Sequence, residues 1–165
     1  MSIKVFLDMD GALYNLYGKE NWLESLENEV PGVFADSENF MPGLDLKILH
    51  DIIYRLMNKG VSFGVISWTP FAASPIYEEI CRKEKIDWLA KNFPMIKDIA
   101  IIPYGIEKQK AITKRAQTMY LIDDNKEVCR TWETAKQRKA ICVDDDFSAF
   151  DALSDLYNAI IDGVI

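Results

Sequence analysis

The chain has 165 residues, 49% of them hydrophobic and 12% aromatic, which is enough to bury one core in a single domain spanning residues 1–165. Its formal net charge of −7 argues against a broad basic surface for nucleic acid or for an anionic membrane. We therefore expect no strong nucleic-acid binding and no membrane association.

The amino-terminal residues lead into a short apolar run that stops at Asp8, which predicts no signal peptide. No apolar run approaches the ~18 residues that a membrane-spanning helix needs. The three cysteines, Cys81, Cys129 and Cys142, are far apart and form no metal-binding pair, so reduced thiols are expected. Together these features predict a cytoplasmic protein.

Short β-rich runs alternate with helical patterns along the whole chain. The predicted elements are, in order, a strand at 3–7, a short helix at 20–29, a helix at 44–59, a strand at 61–66, a helix at 74–85, a strand at 99–102, a helix at 107–115, a strand at 119–122, a helix at 126–136, a strand at 140–143 and a helix at 148–161. This alternation predicts an α/β fold, a Rossmann-like parallel sheet of five strands with helices on both faces.

Polar residues stand where the predicted strands end, at the edge where α/β folds bind ligands. They are Asp8 and Asp10 after the first strand, Ser67 and Trp68 after the second, Asp123 and Asp124 after the fourth, and Asp144, Asp145 and Asp146 after the fifth. Two lysines, Lys108 and Lys110, begin the helix that follows the third strand. We expect the acids of the first and fourth strands, the serine and one lysine to converge there.

Carboxylates crowded at one edge repel one another, and a divalent cation removes that repulsion. Mg²⁺ prefers hard oxygen ligands, usually a few carboxylates with water and a substrate phosphate. Each piece is weak alone, because an Asp-x-Asp-Gly run is a common turn and an Asp-Asp pair often caps a helix. The pieces at successive strand ends predict a magnesium-dependent site for a phosphate group. The three acids at 144–146 are interpreted as a solvated helix start.

Four segments of the sequence resemble the motifs of the haloacid dehalogenase (HAD) superfamily of aspartate-nucleophile phosphohydrolases. They are residues 5–11 (VFLDMDG), 65–67 (VIS), 104–108 (YGIEK) and 120–124 (YLIDD). Within the superfamily the chain looks most like the 5′(3′)-deoxyribonucleotidase-type branch and its small bacterial and phage relatives. Residues 10–15 (DGALYN), the Ser-x-Thr-Pro at 67–70 and the Asp-Asp pair carry that closer resemblance. The nucleotidases insert a substantial helical cap after the first motif, whereas only residues 13–42 are available here, which implies a minimal cap.

The resemblance implies a role for each acid and for the metal. Asp8 would attack phosphorus, and Asp10 would first protonate the leaving oxygen and then activate water. Mg²⁺ would be held by Asp8, by the backbone carbonyl of Asp10 and by Asp123, and Asp124 would act through a metal-bound water or orient the lysine. Gly11 would let the chain turn so that both aspartates face the substrate.

The resemblance also implies the phosphate-binding groups and the reaction. The Ser67 hydroxyl, the Trp68 backbone N–H and the Lys108 ammonium would bind phosphoryl oxygens. Lys110 competes with Lys108 for the lysine position, and the motif spacing favours Lys108. The implied activity is hydrolysis of a small phosphorylated substrate, with a nucleotide favoured.

Several alternatives stay open at this point. The substrate could instead be a sugar phosphate, a nucleic-acid end or a protein, or the chain could be a HAD-like binding protein with little turnover. The Trp68 ring is as consistent with a rim or core aromatic as with stacking on a base. A response-regulator receiver is disfavoured, because its acidic pair lies on the first strand and its lysine comes last.

Overall fold

The sheet of this protein is parallel throughout. A computed structural model describes residues 2–165. The strands are β1 (Ile3–Leu7), β2 (Val61–Trp68), β3 (Asp98–Ile102), β4 (Thr118–Asp123) and β5 (Arg138–Cys142). In this part of the chain they form one five-stranded sheet in the order β3-β2-β1-β4-β5, and every neighbouring pair is parallel. The predicted parallel α/β fold is confirmed.

Five α-helices and a 3₁₀ turn connect the strands over residues 2–165. They are α1 (Trp22–Glu27), α2 (Leu46–Asn58), α3 (Pro75–Asn92), the 3₁₀ turn (Lys108–Ala111), α4 (Lys126–Trp132) and α5 (Ala149–Ile161). Hydrogen bonds from side chains start several of them, as Asp45 caps α2 and Ser74 caps α3. Within the described residues, no helix is both long and apolar enough to cross a membrane.

Several predicted helices have different lengths in the structure. The helix predicted at 20–29 covers only Trp22–Glu27, and the helix predicted at 126–136 ends at Trp132. Helix α3 runs on to Asn92 rather than ending at 85, because its buried face continues through Trp88 and Leu89. The helix predicted at 107–115 is only one 3₁₀ turn. The chain leaves that turn in an extended conformation at Ile112, which packs with Ala116 against the sheet, so tertiary packing overrides the local helical pattern.

Both faces of the sheet are covered, as the sequence predicts. On β1, Val5 and Leu7 point into the larger core, which also contains apolar residues of α2, α3 and α5. Phe6 points to the opposite face and meets Trp132 of α4 edge to face, with ring centroids 5.7 Å apart. Because successive side chains of a strand alternate between faces, a fully buried strand has apolar residues on both.

The segment 13–42 is fastened to α3 by two carboxylates. Glu29 accepts hydrogen bonds from the backbone N–H of Ser74 at 2.6 Å and from its hydroxyl at 2.8 Å. Glu84 accepts from the backbone N–H groups of Gly32 at 2.6 Å and of Phe34 at 3.1 Å. The segment therefore lies against the side of the α/β core, where the only regular helix among its described residues is the short α1.

Candidate active site

The register of the sheet brings the acids of two strands together. Leu7 is aligned with Ile122 on β4, so the next residues, Asp8 and Asp123, are neighbours at the carboxyl edge. The Asp8 backbone N–H donates to the Ile122 carbonyl at 2.9 Å and extends the pairing by one residue. Asp8 and Asp123 are 6% and 0% exposed, which is rare for aspartates without partners.

Lys108 is the partner of both buried aspartates. Its Nζ lies 2.7 Å from Asp8 Oδ1 and 2.6 Å from Asp123 Oδ2. Burial lowers the pKa of the Lys108 ammonium, but the two carboxylates outweigh burial and leave that pKa above its ordinary value. Lys110, the competing candidate, lies on the surface and pairs with Glu107 at 3.2 Å. The geometry thus places Lys108, not Lys110, among the acids.

Three carboxylates at this edge form a group of the kind that holds a metal ion. Asp8, Asp123 and Asp124 can each offer one oxygen, and these oxygens lie within 4.8 Å of one another. Burial and the charge of Asp8 raise the pKa of Asp123 to about 6, and the same causes raise the pKa of Asp124 to about 7. A single lysine does not offset three carboxylates, and hard oxygen donors fit a divalent cation such as Mg²⁺.

These raised pKa values predict how the stability of the metal-free protein depends on pH. The folded protein binds protons on Asp123 and Asp124 more tightly than the unfolded chain, whose aspartates titrate near 3.8. Between about pH 4 and about pH 7 the folded state therefore holds more protons, and its free energy of unfolding falls as the pH rises. We expect Mg²⁺ to raise the melting temperature clearly at about pH 8 and very little at about pH 4, where protons occupy the ligands.

Differential scanning calorimetry with and without Mg²⁺ at both pH values measures this linkage without any assay of activity. An Asp123→Asn variant is the control, and its response to Mg²⁺ should be much smaller. An equal shift of melting temperature in the wild type at both pH values would show that Mg²⁺ binds elsewhere.

Gly11 is required by the close approach of Asp124. Its φ of +77° lies in the left-handed region, and a Cβ there would stand 2.2 Å from Asp124 Oδ2. It would also stand 2.8 Å from the ring of Tyr17. Any side chain at this position would displace the carboxylate of the proposed metal site. The predicted contact of Gly11 with substrate remains a prediction.

A second buried lysine was not predicted from the sequence. Lys85 of α3 is 0% exposed, and its Nζ forms an ion pair with Asp10 Oδ2. The same Nζ donates to the Ser67 hydroxyl at 3.2 Å and to the Trp68 carbonyl at 2.6 Å. It also lies 4.4 Å from the centre of the Phe34 ring. The sequence indicates the unusual position of this residue only by placing a lysine among the apolar residues on one face of α3.

Asp10 presents its two carboxyl oxygens to different surroundings. Oδ2 is held by Lys85, whereas Oδ1 is buried and has no hydrogen-bond partner among residues 2–165. Burial raises the pKa of Asp10 above its ordinary value, although Lys85 acts in the opposite direction. One oxygen is thus anchored, and the other is free to hold or release a proton.

The remaining predicted residues lie to either side of these acids. The Ser67 hydroxyl is fully buried at the end of β2, next to Lys85. The Trp68 ring donates from Nε1 to the Ile106 carbonyl at 2.8 Å. On the other side, Asp144 accepts backbone hydrogen bonds from residues 146 and 147 and so closes its own turn. Asp124, Asp144 and Asp145 line a cleft of about 400 Å³.

Comparisons with known proteins give only a distant structural likeness. No protein-family model and no curated protein matches the chain. The chain is similar to the crystal structure of D,D-heptose 1,7-bisphosphate phosphatase from Burkholderia thailandensis, with 12% identity over 93% of this chain and 97% of that chain and a TM-score of 0.48. The likeness is too distant to assign an activity, which has to be argued from the residues of the site.

Proposed function

We propose that this protein is a metal-dependent phosphomonoester hydrolase of the HAD type that forms a phospho-aspartate on Asp8. The observation that carries the proposal is the contact of one buried lysine with two aspartates. Lys108 Nζ touches both Asp8 and Asp123, and Asp124 completes a group of carboxylates able to hold a cation. A nucleophile, a fixed positive charge and metal ligands then stand together at the ligand-binding edge of a parallel sheet.

The first half of the reaction uses Asp8 and Asp10. A carboxylate oxygen of Asp8 attacks phosphorus, and the bond from phosphorus to the ester oxygen breaks. Asp10 gives the departing oxygen a proton from Oδ1, while Lys85 keeps Oδ2 in place. Lys108 offsets the repulsion between the carboxylate and the phosphate dianion. When bound, Mg²⁺ supplies Lewis-acid stabilisation of the phosphoryl oxygens.

The second half releases phosphate and restores the enzyme. Asp10, now a carboxylate, takes a proton from a water molecule whose oxygen attacks phosphorus. The bond from phosphorus to Asp8 breaks, orthophosphate leaves, and Asp10 is again protonated. The raised pKa of Asp10 suits this alternation, because it favours the protonated form that begins each cycle.

A nucleotide is the substrate that we propose within this class. It rests on the sequence resemblance to deoxyribonucleotidases in residues 10–15 and 67–70. The three-carboxylate group would hold a metal ion equally well for the phosphate of other esters. The choice among substrates therefore depends on what binds the leaving group.

Phosphate release from a panel of phosphomonoesters tests the proposal. The panel contains nucleoside 5′- and 3′-monophosphates, a sugar phosphate, an aryl phosphate, a phosphotyrosine peptide and a 5′-phosphorylated oligonucleotide. We expect Mg²⁺ to support release from at least one nucleotide and a chelator to abolish it. Added Mg²⁺ should restore release after chelation. Failure of every compound with Mg²⁺ present would sink the hydrolase proposal in favour of a binding role.

A further inference from the structure

Three aromatic side chains form an exposed row beside the proposed active site. Trp68 and Tyr104 have ring centroids 4.9 Å apart, and Tyr104 and Phe71 have centroids 5.3 Å apart. Phe71 is 76% exposed and Tyr104 is 51% exposed. We call these three residues the aromatic row. The two ring pairs are inclined at 52° and 71° rather than stacked. Large aromatic groups clustered in solvent leave much apolar surface uncovered, which is typical of a surface that binds a ligand.

The aromatic row is joined directly to the phosphate-binding groups. Trp68 follows Ser67 at the end of β2, and its ring centroid lies 5.3 Å from Lys108 Nζ. The ring is held in position by the hydrogen bond from Nε1 to the Ile106 carbonyl at 2.8 Å. The face of the Trp68 ring is therefore within reach of the ester group of a phosphate bound at Ser67 and Lys108.

The opposite side of the site is acidic. The cleft of about 400 Å³ next to Gly11 is lined by the carboxylates of Asp124, Asp144 and Asp145, and also by Tyr17 and Met41 of the segment 13–42. Asp144 and Asp145, which are not among the proposed metal ligands, repel the phosphate dianion, whereas Lys108 beside the aromatic row attracts it. A phosphate held by Lys108 therefore has its ester group close to the rings.

We propose that Trp68, Tyr104 and Phe71 form the subsite for the leaving group of the substrate, and that this leaving group carries a flat heteroaromatic ring such as a nucleobase. The inference rests on the proposed hydrolase function, and it assigns substrate selection to the loops after β2 and β3 rather than to the segment 13–42. Every base has a flat π-face, so the row accepts different bases by stacking. A net charge of −7 favours a mononucleotide over a polynucleotide.

A pair of substrates that differ only in the base tests the subsite. Thymidine 5′-monophosphate and 2-deoxyribose 5-phosphate present the same phosphate and sugar. We expect the wild-type kcat/KM to be about tenfold or more higher for the nucleotide, the size of one stacking contact. Tyr104→Ala and Phe71→Ala should each bring this ratio several-fold closer to one. Tyr104→Phe should keep the ratio, because it keeps the ring.

Tyr54→Ala is the matched control, since Tyr54 is an exposed tyrosine on α2. It should leave the ratio at the wild-type value. Equal kcat/KM for the two substrates in the wild type would overturn the proposal, as would an unchanged ratio in both alanine variants. A clear preference for a 5′-phosphorylated oligonucleotide over the mononucleotide would also overturn it, because the occupant would then be a polynucleotide.

Calorimetric binding to the Asp8→Asn variant separates failure of the subsite from failure of the hydrolase proposal. If the wild type hydrolyses no compound of the panel, the hydrolase proposal fails, but the subsite still predicts tighter binding of thymidine monophosphate than of 2-deoxyribose 5-phosphate. Loss of that difference in the Asp8→Asn, Tyr104→Ala double variant would support the subsite. Equal affinity of the two ligands for Asp8→Asn would refute it.

Discussion

Asp8→Asn should release phosphate at a rate lower than wild type by roughly 10⁴-fold or more, the scale of losses when an enzyme loses its nucleophile. Asparagine keeps the shape of the side chain, but its amide is not a nucleophile and does not form the phospho-aspartate. The measurement is phosphate release with Mg²⁺, using whichever panel substrate the wild type turns over fastest. Mass spectrometry of acid-quenched wild type should show an added phosphoryl group that the variant lacks.

The stability of the same variant shows whether lost activity reflects lost chemistry or lost structure. Asp8 contributes repulsion that raises the pKa values of Asp123 and Asp124. Removing its charge relieves that repulsion, so the metal-free variant should be at least as stable as metal-free wild type at neutral pH. Asp145→Asn, an exposed acid at the same edge, is the control and should retain nearly full activity. Substantial activity in Asp8→Asn would place the nucleophile elsewhere.

Lys85→Met should lower kcat/KM by roughly 10²- to 10³-fold, in the range of general acid–base contributions, and should destabilise the fold. The ammonium contacts Asp10 and Ser67 from a fully buried position. Removing one partner of a buried ion pair leaves the other without compensation, which costs about 3–5 kcal/mol. Urea denaturation measures the free energy of unfolding, and phosphate release measures the rate.

Comparison with Lys108→Met distinguishes the two buried lysines of the candidate site. Lys108 lies among the carboxylates proposed to bind Mg²⁺, so Mg²⁺ should recover part of the stability that Lys108→Met loses. Lys85 contacts Asp10 instead, so Mg²⁺ should recover much less of the stability that Lys85→Met loses. Lys83→Met is the matched control, because Lys83 lies two residues earlier on α3 and its exposed side chain pairs with Asp87 at 2.5 Å. Its stability and activity should stay near the wild-type values. Near wild-type activity in Lys85→Met would remove Lys85 from the mechanism.

The sequence predicts the sheet and the acidic edge because both depend on local patterns. Alternating strands and helices specify a parallel sheet, and the carboxyl ends of parallel strands meet at one edge. The positions of Asp8 and Asp123 follow from those two rules. The motif spacing also favours Lys108 over Lys110, and Lys108 is the lysine that contacts both aspartates.

The groups that the sequence does not predict are placed by tertiary contacts. Lys85 stands at the end of the predicted helix, and its burial depends on α3 continuing past it to Asn92. Tyr104 and Phe71 lie in connections between elements, where no periodic pattern predicts which side chains meet. The 3₁₀ turn at Lys108–Ala111 is short because packing of Ile112 takes the chain out of the helix.

The two carboxylates that fasten the segment 13–42 to α3 have a consequence for the timing of the catalytic cycle. Glu29 and Glu84 each accept two hydrogen bonds across this contact. In many enzymes a lid must open before product leaves, and that opening sets the turnover rate. These four hydrogen bonds hold the segment against α3. For the proposed hydrolase we therefore expect product to leave without an opening motion of this segment, so that kcat should not depend on solvent viscosity.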